Sequence, residues 1–361
     1  MRRAIELAER GAGLVSPNPL VGAVIVDAAG AVIAEAFHHR AGAAHAEALA
    51  LEIAGDAARG ATLYCTLEPC SHFGRTPPCA DALVAAGIAR VVVGQRDPNP
   101  IVDGRGIARL RAAGIEVVEG LLADDVAALN RAFTHHVTTG LPYVTWKIAA
   151  SLDGRVAAAD GSSRWISGEA SRADAHRLRA AADAIVVGSG TVLTDDPHLT
   201  VRDPGYAGEP VLRVVVDGRG RVTPTHRVLD AAAPTLVATT DRAPDALRTA
   251  WRDAGAEVVE LPTDRAGRPD VRELLADLGK RGVQGVLLEG GPTLAWSMLE
   301  ADRIDRIVLH TAPILVGGDD APGILGGAGF RPIAGAAHIV IDDVRRLGDD
   351  LRVEAHVHGH R

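Results

Sequence analysis

Short apolar runs alternate with helical patterns along nearly the whole chain, and this alternation restricts the fold more than any other feature. Near the start, "LVGAVIVD" and "AVIAEAF" have the composition of two paired strands joined by a turn at residues 28–30. Later runs such as "ATLYCTL" and "ARVVVG" are each separated from the next by a helical pattern. A repeated strand–helix rhythm predicts an α/β fold in which much of the sheet is parallel.

The same patterns predict individual elements. In the first part, helices are predicted at 42–54, 78–86, 104–113 and 122–137, with strands at 61–67, 89–94 and 115–120. In the second part, strands are predicted at 143–149, 184–188, 212–217, 235–239, 256–260 and 285–289, with helices between them. The end changes character, because "RIDRIVLHTAPILVGG" and "LRVEAHVH" are long strand patterns without a helix between them. The second sheet is therefore predicted to be mixed.

A chain of 361 residues is long for one compact domain, so two domains are expected. The rhythm restarts at "TTGLPYVTWKIAASLDG", where a turn-rich Gly-Leu-Pro precedes a fresh strand. We place the boundary at Leu141, which predicts one domain over 1–141 and a second over 142–361.

Composition excludes several classes of protein. A hydrophobic content of 47% with 23% charged residues is typical of a globular protein with an ample core. A net charge of −8 disfavours a nucleic-acid binder, which needs a basic face. No apolar run is long enough to span a membrane, and the N-terminus has the pattern of an amphipathic helix rather than a signal peptide. With three cysteines, one thiol stays unpaired in any intrachain disulfide scheme, which favours a reducing cytoplasm.

Two of the three cysteines lie nine residues apart, downstream of a His-x-Glu. Alone, this pair could be coincidence, a disulfide or a metal site. His45, Cys70 and Cys79 together supply three zinc ligands of the types found in catalytic sites, where water takes the fourth position. Glu47 is placed to act as acid and base on that water, which is the arrangement of the zinc deaminases. Cys65, within a strand pattern, is expected to be a buried apolar residue.

The segment "TLEPCSHFGRTPPC" has a longer gap between its cysteines than the general deaminase pattern. It resembles the corresponding segment of the bifunctional riboflavin-biosynthesis deaminase/reductase family. Further matches follow in order along essentially the whole chain: "SPNPLVGAVIV", "HHRAGAAHAE", "GQRDPNP", "ASLDGRVA", "RWISG", "GTVLTDDPHLTVR", "DGRGRVTP" and "EGGPTL". One departure is "IAEAF", where the family usually has glycines before the histidine.

For the first domain, the resemblance implies a cytidine-deaminase-like fold binding one Zn²⁺. It implies hydrolytic removal of the 2-amino group of a diaminopyrimidinone ribosylamine 5′-phosphate, with Glu47 as the proton carrier. Asn18 and His38 match family positions near the pyrimidine. His72 and Arg75 lie in the longer segment between the cysteines, where they could meet the substrate phosphate.

For the second domain, the resemblance implies a dihydrofolate-reductase-like fold that binds NADPH. The sequence "LLEGGPTLAWSML" places a Gly-rich turn before a helix, which suits phosphate, whereas no complete dinucleotide fingerprint of the Rossmann type is present. The implied cofactor contacts are Ala149, Trp165, Thr191, Asp195, Gly218, Gly291, Pro292, Thr293, Leu294, Ala295, Trp296 and Ser297. Ala149 replaces a residue that is commonly glycine in the family.

The implied substrate contacts of the second domain include several charged side chains. They are Lys147, Ser163, Arg179, Leu199, Arg202 and Glu289. Arginine is abundant in this chain, with 36 residues, whereas only two lysines occur, so Lys147 is the more informative residue. Arg179 and Arg202 have guanidinium groups suited to a ribose 5′-phosphate, and Asp153 is expected to be a turn residue.

The leading hypothesis is a two-step enzyme that deaminates a pyrimidine ribotide and then reduces its ribosyl group to a ribityl chain with NADPH. One alternative is a nucleic-acid deaminase, which an aromatic content of 3% and the net charge of −8 do not support. Another is a different nucleotide or nucleobase deaminase with an appended nucleotide-binding regulatory domain. The resemblance also implies small-molecule substrates, no nucleic-acid or membrane partner, and a homo-oligomer.

Overall fold

The computed structural model describes residues 1–71, 78–100 and 102–357, and the chain divides into two compact units, Met1–Gly140 and Leu141–Arg361. His72 and Arg75 lie outside the described residues. Among the described residues, no helix combines the length and the apolar character that crossing a membrane requires.

The first unit, Met1–Gly140, is a five-stranded sheet with helices packed against it. Its elements are α1 (Arg2–Glu9), β1 (Gly22–Val26), β2 (Val32–Phe37), α2 (Ala46–Ala54), β3 (Thr62–Leu67), α3 (Cys79–Ala86), β4 (Arg90–Gln95), α4 (Arg105–Ala112), β5 (Glu116–Glu119), α5 (Ala123–Leu129) and α6 (Arg131–Thr139). The strand order is β2-β1-β3-β4-β5, with antiparallel pairing through β3 and parallel pairing beyond it. Aliphatic side chains on these strands and helices form one core.

Two helices of this unit differ from the prediction. The helix predicted at 42–54 begins at Ala46, because Gly42 has a φ of 81° and His45 is still extended. The helix predicted at 122–137 is two helices that meet at Asn130. The Asn130 side chain accepts a hydrogen bond from the backbone N–H of Leu20 at 2.8 Å and donates one to its carbonyl at 3.0 Å. The interruption between the two helices is therefore stabilised by a loop that is distant in sequence. Local hydrophobic periodicity cannot predict such a contact.

The second unit is a nine-stranded sheet with helices on both faces. Its elements are β6 (Tyr143–Ser151), α7 (Glu169–Ala180), β7 (Ala184–Gly188), α8 (Ser189–Asp195), β8 (Leu212–Val216), β9 (Thr235–Thr239), α9 (Asp245–Asp253), β10 (Glu257–Glu260), α10 (Val271–Lys280), β11 (Gly285–Leu288), α11 (Pro292–Glu300), β12 (Arg306–Ala312), β13 (Ile339–Leu347) and β14 (Asp350–Val357).

The strand order of this sheet is β10-β9-β8-β7-β11-β6-β12-β14-β13. Pairing is parallel from β10 to β12 and antiparallel for the last two strands, so the predicted mixed sheet is confirmed. Two apolar clusters cover the two faces, one around Trp146 and Leu274 and one around Trp251 and Val215. The sequence did not predict β13, because paired like charges and a bulge after Ile341 break its alternation.

Candidate active sites

Three local structures bring the candidate zinc ligands of the first unit together. His45 is the last extended residue before α2, Cys70 follows β3 by three residues, and Cys79 is the first residue of α3. His45 Nδ1 lies 3.2 Å from Cys79 Sγ and 3.6 Å from Cys70 Sγ. All three ligand atoms lie within 4.8 Å of one another, and no other such group of potential ligands occurs among the described residues.

This donor set fits a zinc ion. A tetrahedral centre with Zn–S of about 2.3 Å and Zn–N of about 2.0 Å separates its nitrogen and sulfur ligands by about 3.5 Å. The observed N–S distances of 3.2 and 3.6 Å bracket that value. One imidazole and two sulfurs are also the donor types that zinc prefers over magnesium or calcium. Three protein ligands leave a fourth position for water, as catalytic zinc requires.

The surroundings of the two cysteines favour a thiolate at Cys70. The Cys79 side chain lowers the pKa of Cys70 by hydrogen bonding, and the backbone N–H of Cys79 adds a further bond to Cys70 Sγ at 3.3 Å. The same side-chain contact raises the pKa of Cys79. A divalent cation among these atoms would favour the thiolate of both residues, because a metal deprotonates a coordinating thiol.

Glu47 lies in the first turn of α2, two residues past His45. Its side chain is buried, with 3% of the residue exposed. Burial raises the pKa of Glu47 to about 7. A carboxyl group whose pKa lies near neutrality can accept a proton and return it within one turnover.

The predicted pyrimidine contacts of the first unit are neighbours of the candidate zinc ligands. The His38 and His45 rings meet edge to face, with centroids 5.5 Å apart. His38 Nδ1 lies 3.1 Å from the Ala44 carbonyl, and His38 Nε2 lies 2.9 Å from Asn18 Nδ2. This geometry fits a neutral His38 that donates from Nδ1 and accepts at Nε2. Burial also lowers the pKa of His38, which favours the same neutral form.

Glu68, two residues before Cys70, supports the loop of the candidate zinc centre, and the sequence did not indicate this role. It is 3% exposed and accepts four backbone hydrogen bonds, from Asp97 (3.2 Å), Gly104 (2.9 Å), Gly106 (2.9 Å) and Ile107 (3.1 Å). These bonds hold the turn that carries Cys70 against the start of α4. Glu68 is part of the quoted "TLEPC", and its partners Gly104 and Gly106 lie in "DGRG" at 103–106. The separation of these two segments along the chain concealed the connection.

Cys65 lies in the core of the first unit and is fully buried. Its thiol points at the Val92 carbonyl, 3.8 Å away, on the neighbouring strand. No disulfide joins any two of the three cysteines. Cys65 therefore belongs to the packing and not to the candidate zinc centre.

The second unit contains a cleft with a volume of about 680 Å³, large enough for a nucleotide cofactor. Nine of the residues predicted from the resemblance line it. They are Ser163, Thr191, Asp195, Gly218, Gly291, Pro292, Thr293, Leu294 and Ser297. The start of α11 faces the cleft, so its backbone N–H groups and helix dipole favour an anionic group there.

Four other predicted cofactor contacts do not line this cleft. Ala295 and Trp296 point into the interior, where Trp296 packs beside Gly327 and the ring of Phe330. Ala149 lies half-buried on β6. Trp165 is exposed, and the guanidinium of Arg172 lies over its ring at 4.7 Å.

The predicted substrate contacts include one tight charged cluster. Arg179 donates to both oxygens of Glu289, with Nε–Oε1 at 2.6 Å and Nη2–Oε2 at 2.8 Å. Burial alone would raise the pKa of Glu289, but the adjacent Arg179 charge and hydrogen bonds outweigh it and hold that pKa at about 2. Burial lowers the pKa of Lys147, and the nearby Glu289 carboxylate opposes that shift.

The remaining predicted substrate contacts have other surroundings. Ser163 Oγ donates to Asp195 Oδ1 at 3.2 Å, which links a predicted substrate residue to a predicted cofactor residue. Arg202 is exposed, and its backbone N–H donates to His176 Nδ1 at 3.1 Å. Leu199 is 3% exposed and packs in the apolar cluster around Trp251, so its side chain contributes to the core.

Three arginines of the cleft were missed because arginine is so frequent in this chain. They are Arg219, Arg221 and Arg268. Arg221 is held by Ser189 Oγ at 2.6 Å, and Arg268 by Asp264 at 2.8 Å. Among the described residues, Arg219 has no hydrogen-bond or ion-pair partner and is exposed. The quoted "DGRGRV" contained the first two, at the end of β8.

Two family models match the chain, one in each half. The model described as the cytidine and deoxycytidylate deaminase zinc-binding region matches residues 1–95. The model described as the RibD C-terminal domain matches residues 142–353. The first match contains all three candidate zinc ligands, and it supports zinc as the metal of this unit.

Relatives match over nearly the full length. The riboflavin biosynthesis protein RibD of Bacillus amyloliquefaciens is 44% identical over 356 residues, which is 98% of this chain and 95% of the relative. The structure of Acinetobacter baumannii RibD superposes with a TM-score of 0.89 at 40% identity, covering 99% of this chain and 98% of that chain. A Thermotoga maritima diaminohydroxyphosphoribosylaminopyrimidine deaminase/5-amino-6-(5-phosphoribosylamino)uracil reductase superposes with a TM-score of 0.87 at 36% identity, covering 99% and 97%. The chain therefore belongs to the RibD family of riboflavin-biosynthesis enzymes, in which a zinc deaminase and a reductase that uses a nicotinamide cofactor share one polypeptide.

Proposed function

We propose that residues 1–141 deaminate 2,5-diamino-6-ribosylamino-4(3H)-pyrimidinone 5′-phosphate and that residues 142–361 reduce the product with NADPH. The observation that carries the first half is the convergence of His45, Cys70 and Cys79 beside the buried Glu47. The name of the Thermotoga maritima relative supports the choice of substrate. The alternative, a different deaminase with an appended regulatory nucleotide-binding domain, is less well supported, because residues 142–353 match the RibD C-terminal domain and relatives named RibD match over nearly the full length.

In the deaminase, His45, Cys70 and Cys79 would hold the zinc ion. Zinc supplies a nucleophile at neutral pH by lowering the pKa of a water molecule. Glu47 would accept one proton of the water and pass it to the ring nitrogen, and would then carry the second proton of the water to the leaving amine, which departs as ammonia. The net reaction exchanges the 2-amino group for a carbonyl oxygen.

The pair of Asn18 and His38 would orient the pyrimidine. His38 Nε2 accepts a hydrogen bond from the Asn18 amide, which fixes the amide plane beside His38. The His38 ring in turn packs edge to face against His45. The Asn18 carbonyl oxygen then remains directed away from His38 and can accept a hydrogen bond from the substrate. Glu68 would keep the Cys70 turn in place while the substrate binds.

In the reductase, NADPH would lie in the cleft of the second unit. The cofactor supplies a hydride to C1′ of the ribosylamine, which opens the sugar to a ribityl chain. The start of α11 and Thr293 would bind the pyrophosphate. The three cleft arginines favour NADPH over NADH, because guanidinium groups match the oxygens of a 2′-phosphate.

The charged cluster of Lys147, Arg179 and Glu289 would bind the substrate rather than the cofactor. Arg179 already donates two hydrogen bonds to Glu289. The exposed Arg202 is therefore the better candidate to bind the ribose 5′-phosphate. Lys147 would donate a hydrogen bond to a ribose hydroxyl from its place on β6.

We also propose a reducing cytoplasm as the location, supported by three cysteines that form no disulfide. A homo-oligomer is proposed as well, supported by the exposure of eight of the nine residues of β13.

The direct test is to incubate the purified, zinc-loaded chain with the diamino substrate, with and without NADPH, and to identify the products by mass spectrometry. Without NADPH, the deaminated ribosylaminouracil phosphate should accumulate with release of ammonia. With NADPH, its ribityl form should replace it while the absorbance of NADPH falls. A chain that changes neither the substrate mass nor the NADPH absorbance would contradict the proposal.

A further inference from the structure

The loop that carries Asn18 is rich in proline. It covers residues 16–21, and Pro17 and Pro19 have no N–H group to donate. Every residue of this loop is exposed or half-buried, so its position depends on hydrogen bonds more than on apolar packing. Because Asn18 matches a position near the pyrimidine, the position of this loop also determines where the substrate ring can bind.

Asn130 pairs with this loop at Leu20. Its amide oxygen accepts a hydrogen bond from the Leu20 N–H at 2.8 Å, and its amide nitrogen donates one to the Leu20 carbonyl at 3.0 Å. Asn130 is 3% exposed, so water competes little for either bond. An amide supplies a donor and an acceptor side by side, whereas a carboxylate supplies only acceptors. The residue type therefore matches both backbone groups of Leu20.

Two short paths connect Leu20 to the candidate pyrimidine contacts. Along the chain, Asn18 lies two residues earlier, and its amide nitrogen is 2.9 Å from His38 Nε2. Through space, the carbonyl of Val21, the residue after Leu20, accepts a hydrogen bond from the His38 backbone N–H at 2.9 Å. Asn130 thus fixes the segment between the two points at which the loop contacts His38.

We propose that Asn130 is a positioning residue of the deaminase, and that its pairing with Leu20 holds Asn18 where the pyrimidine binds. The inference rests on the proposed deaminase function and adds to it a residue from the junction of α5 and α6. Asn130 is distinct from the candidate zinc ligands and from Glu47, so it should affect binding of the pyrimidine and not the chemical step. A loss of binding that is equal in the ground state and the transition state raises KM and leaves kcat unchanged.

Two substitutions of Asn130 separate hydrogen bonding from shape. Asn130→Ala removes both bonds and leaves the Leu20 N–H and carbonyl without this partner. At neutral pH, Asn130→Asp keeps the shape and the acceptor but sets a carboxylate oxygen against the Leu20 carbonyl, where two acceptors repel each other. Each change should raise KM for the diamino substrate by about 10- to 100-fold, as expected for the loss of buried hydrogen bonds, with kcat close to wild type.

Two control variants lie in the same unit. Val91→Ala shortens a fully buried core side chain beside the start of β3, whereas the loop leads into β1 beside the end of β3. This variant should lower the stability of the unit and leave KM unchanged. Thr138→Ala removes a hydrogen bond from a side chain of α6 to the Thr134 carbonyl, outside the loop, and should change neither KM nor kcat.

A double-mutant cycle shows whether Asn130 acts through Asn18. Asn130→Ala should raise KM by about 10-fold or more in the wild-type background but by less than about threefold in an Asn18→Ala background. The reason is that the loop of the Asn18→Ala variant no longer carries the side chain to be positioned. Effects on KM that simply multiply in the double variant would show that Asn130 acts elsewhere, and would overturn the inference.

The measurement is the rate of ammonia release by the full-length, zinc-loaded chain as a function of the concentration of the diamino substrate. Because KM does not depend on the fraction of folded protein, a partly unfolded variant still gives a valid value. Zinc content and the rate of NADPH oxidation with the deaminated ribosylaminouracil phosphate are measured on the same samples. Reductase kinetics should match wild type in every variant, since Asn130 and the loop lie in the first unit.

An active wild type whose KM is shared by either Asn130 variant would overturn the inference and leave the proposed function standing. A fall in kcat at unchanged KM would do the same, because it would indicate a structural role. Loss of zinc from a folded Asn130 variant would assign the residue to the metal centre and would also overturn the inference. A wild type that releases no ammonia would contradict the proposed function itself, and the inference with it.

Discussion

Arg179 and Glu289 form a two-point ion pair, Nε to Oε1 at 2.6 Å and Nη2 to Oε2 at 2.8 Å, between α7 and the residue that follows β11. The side chains are only 14% and 10% exposed. Burying two charges is costly unless each is fully satisfied, and removal of one partner leaves the other charge unpaired. This pair therefore makes the second unit sensitive to the ionisation of one carboxyl group.

Glu289→Gln should change how the stability of the second unit depends on pH. The Glu289 pKa is about 2 in the folded chain and 4.5 in the reference state. A depressed carboxyl pKa stabilises the fold fully above the unfolded value, and this contribution is lost as the pH falls through the folded value. The advantage of wild type over Glu289→Gln should therefore shrink between about pH 4.5 and pH 2, by on the order of 3 kcal/mol.

All four tryptophans of the chain, at positions 146, 165, 251 and 296, lie in the second unit, so urea unfolding followed by their fluorescence reports on that unit. An advantage of wild type that stays constant from pH 5 to pH 2 would contradict the role given to the ion pair.

Lys147→Ala should impair the reduction while leaving cofactor binding nearly intact. The ammonium group interacts electrostatically with Glu289 and is outside the cleft lining. If Lys147 binds the substrate as proposed, its loss removes a charged hydrogen bond to the substrate. Such a bond corresponds to about a 10- to 100-fold loss in kcat/KM for the ribosylaminouracil phosphate. The other lysine of the chain, Lys280, is exposed at the end of α10, and Lys280→Ala is the control. Weakened NADPH binding with normal substrate kinetics would instead assign Lys147 to the cofactor.

Arg219→Ala should reduce the preference for NADPH over NADH. Its guanidinium lines the cleft and has no partner among the described residues, so it is available for a 2′-phosphate. We expect KM for NADPH to rise by about 10- to 100-fold and KM for NADH to stay unchanged. Arg281→Ala, which removes an arginine paired with Asp277 and Glu257 outside the cleft, should change neither value. Equal increases in KM for NADPH and NADH would show that Arg219 does not contact the 2′-phosphate.

Cys79→Ser and Cys70→Ser should each lose zinc and deamination together, because a hydroxyl is a poor ligand for this ion. Cys65→Ser is the matched control, since Cys65 is buried in the core and is no part of the candidate centre. It should keep zinc and activity at a lower stability. Metal analysis after dialysis measures the outcome, and full zinc retention by Cys79→Ser would remove Cys79 from the ligand set.

The three candidate zinc ligands could be picked out from the sequence because each lies at a local signal, and the structure brings the three side chains together. His45 and Cys79 open helices and Cys70 follows a strand, and all three lie on neighbouring elements of one sheet. Glu68 was missed because its four hydrogen bonds reach residues 29 to 39 positions further along the chain. The break at Asn130 was missed for the same reason, since its partner Leu20 is 110 positions away.

The second unit was predicted less completely. Strand periodicity identified the parallel strands, whose two buried faces give continuous apolar runs. The cleft arginines could not be recognised from the sequence because arginine is so abundant in this chain. Strand β13 was not predicted because it is exposed, and a strand without a buried face has no apolar alternation. The resemblance located the start of α11 at the cleft but did not separate its buried residues, Ala295 and Trp296, from those that line it.

Glu47→Gln tests most directly whether the two units of this chain act as separate catalysts. The substitution keeps the shape of the buried side chain and all three candidate zinc ligands but removes the proton carrier. The measurement is the rate of ammonia release from the diamino substrate and, on the same sample, the rate of NADPH oxidation with the deaminated ribosylaminouracil phosphate. Ammonia release should fall by about 10²- to 10⁴-fold, with zinc content and NADPH oxidation unchanged. An equal fall of both rates in a folded, zinc-loaded variant would contradict the account.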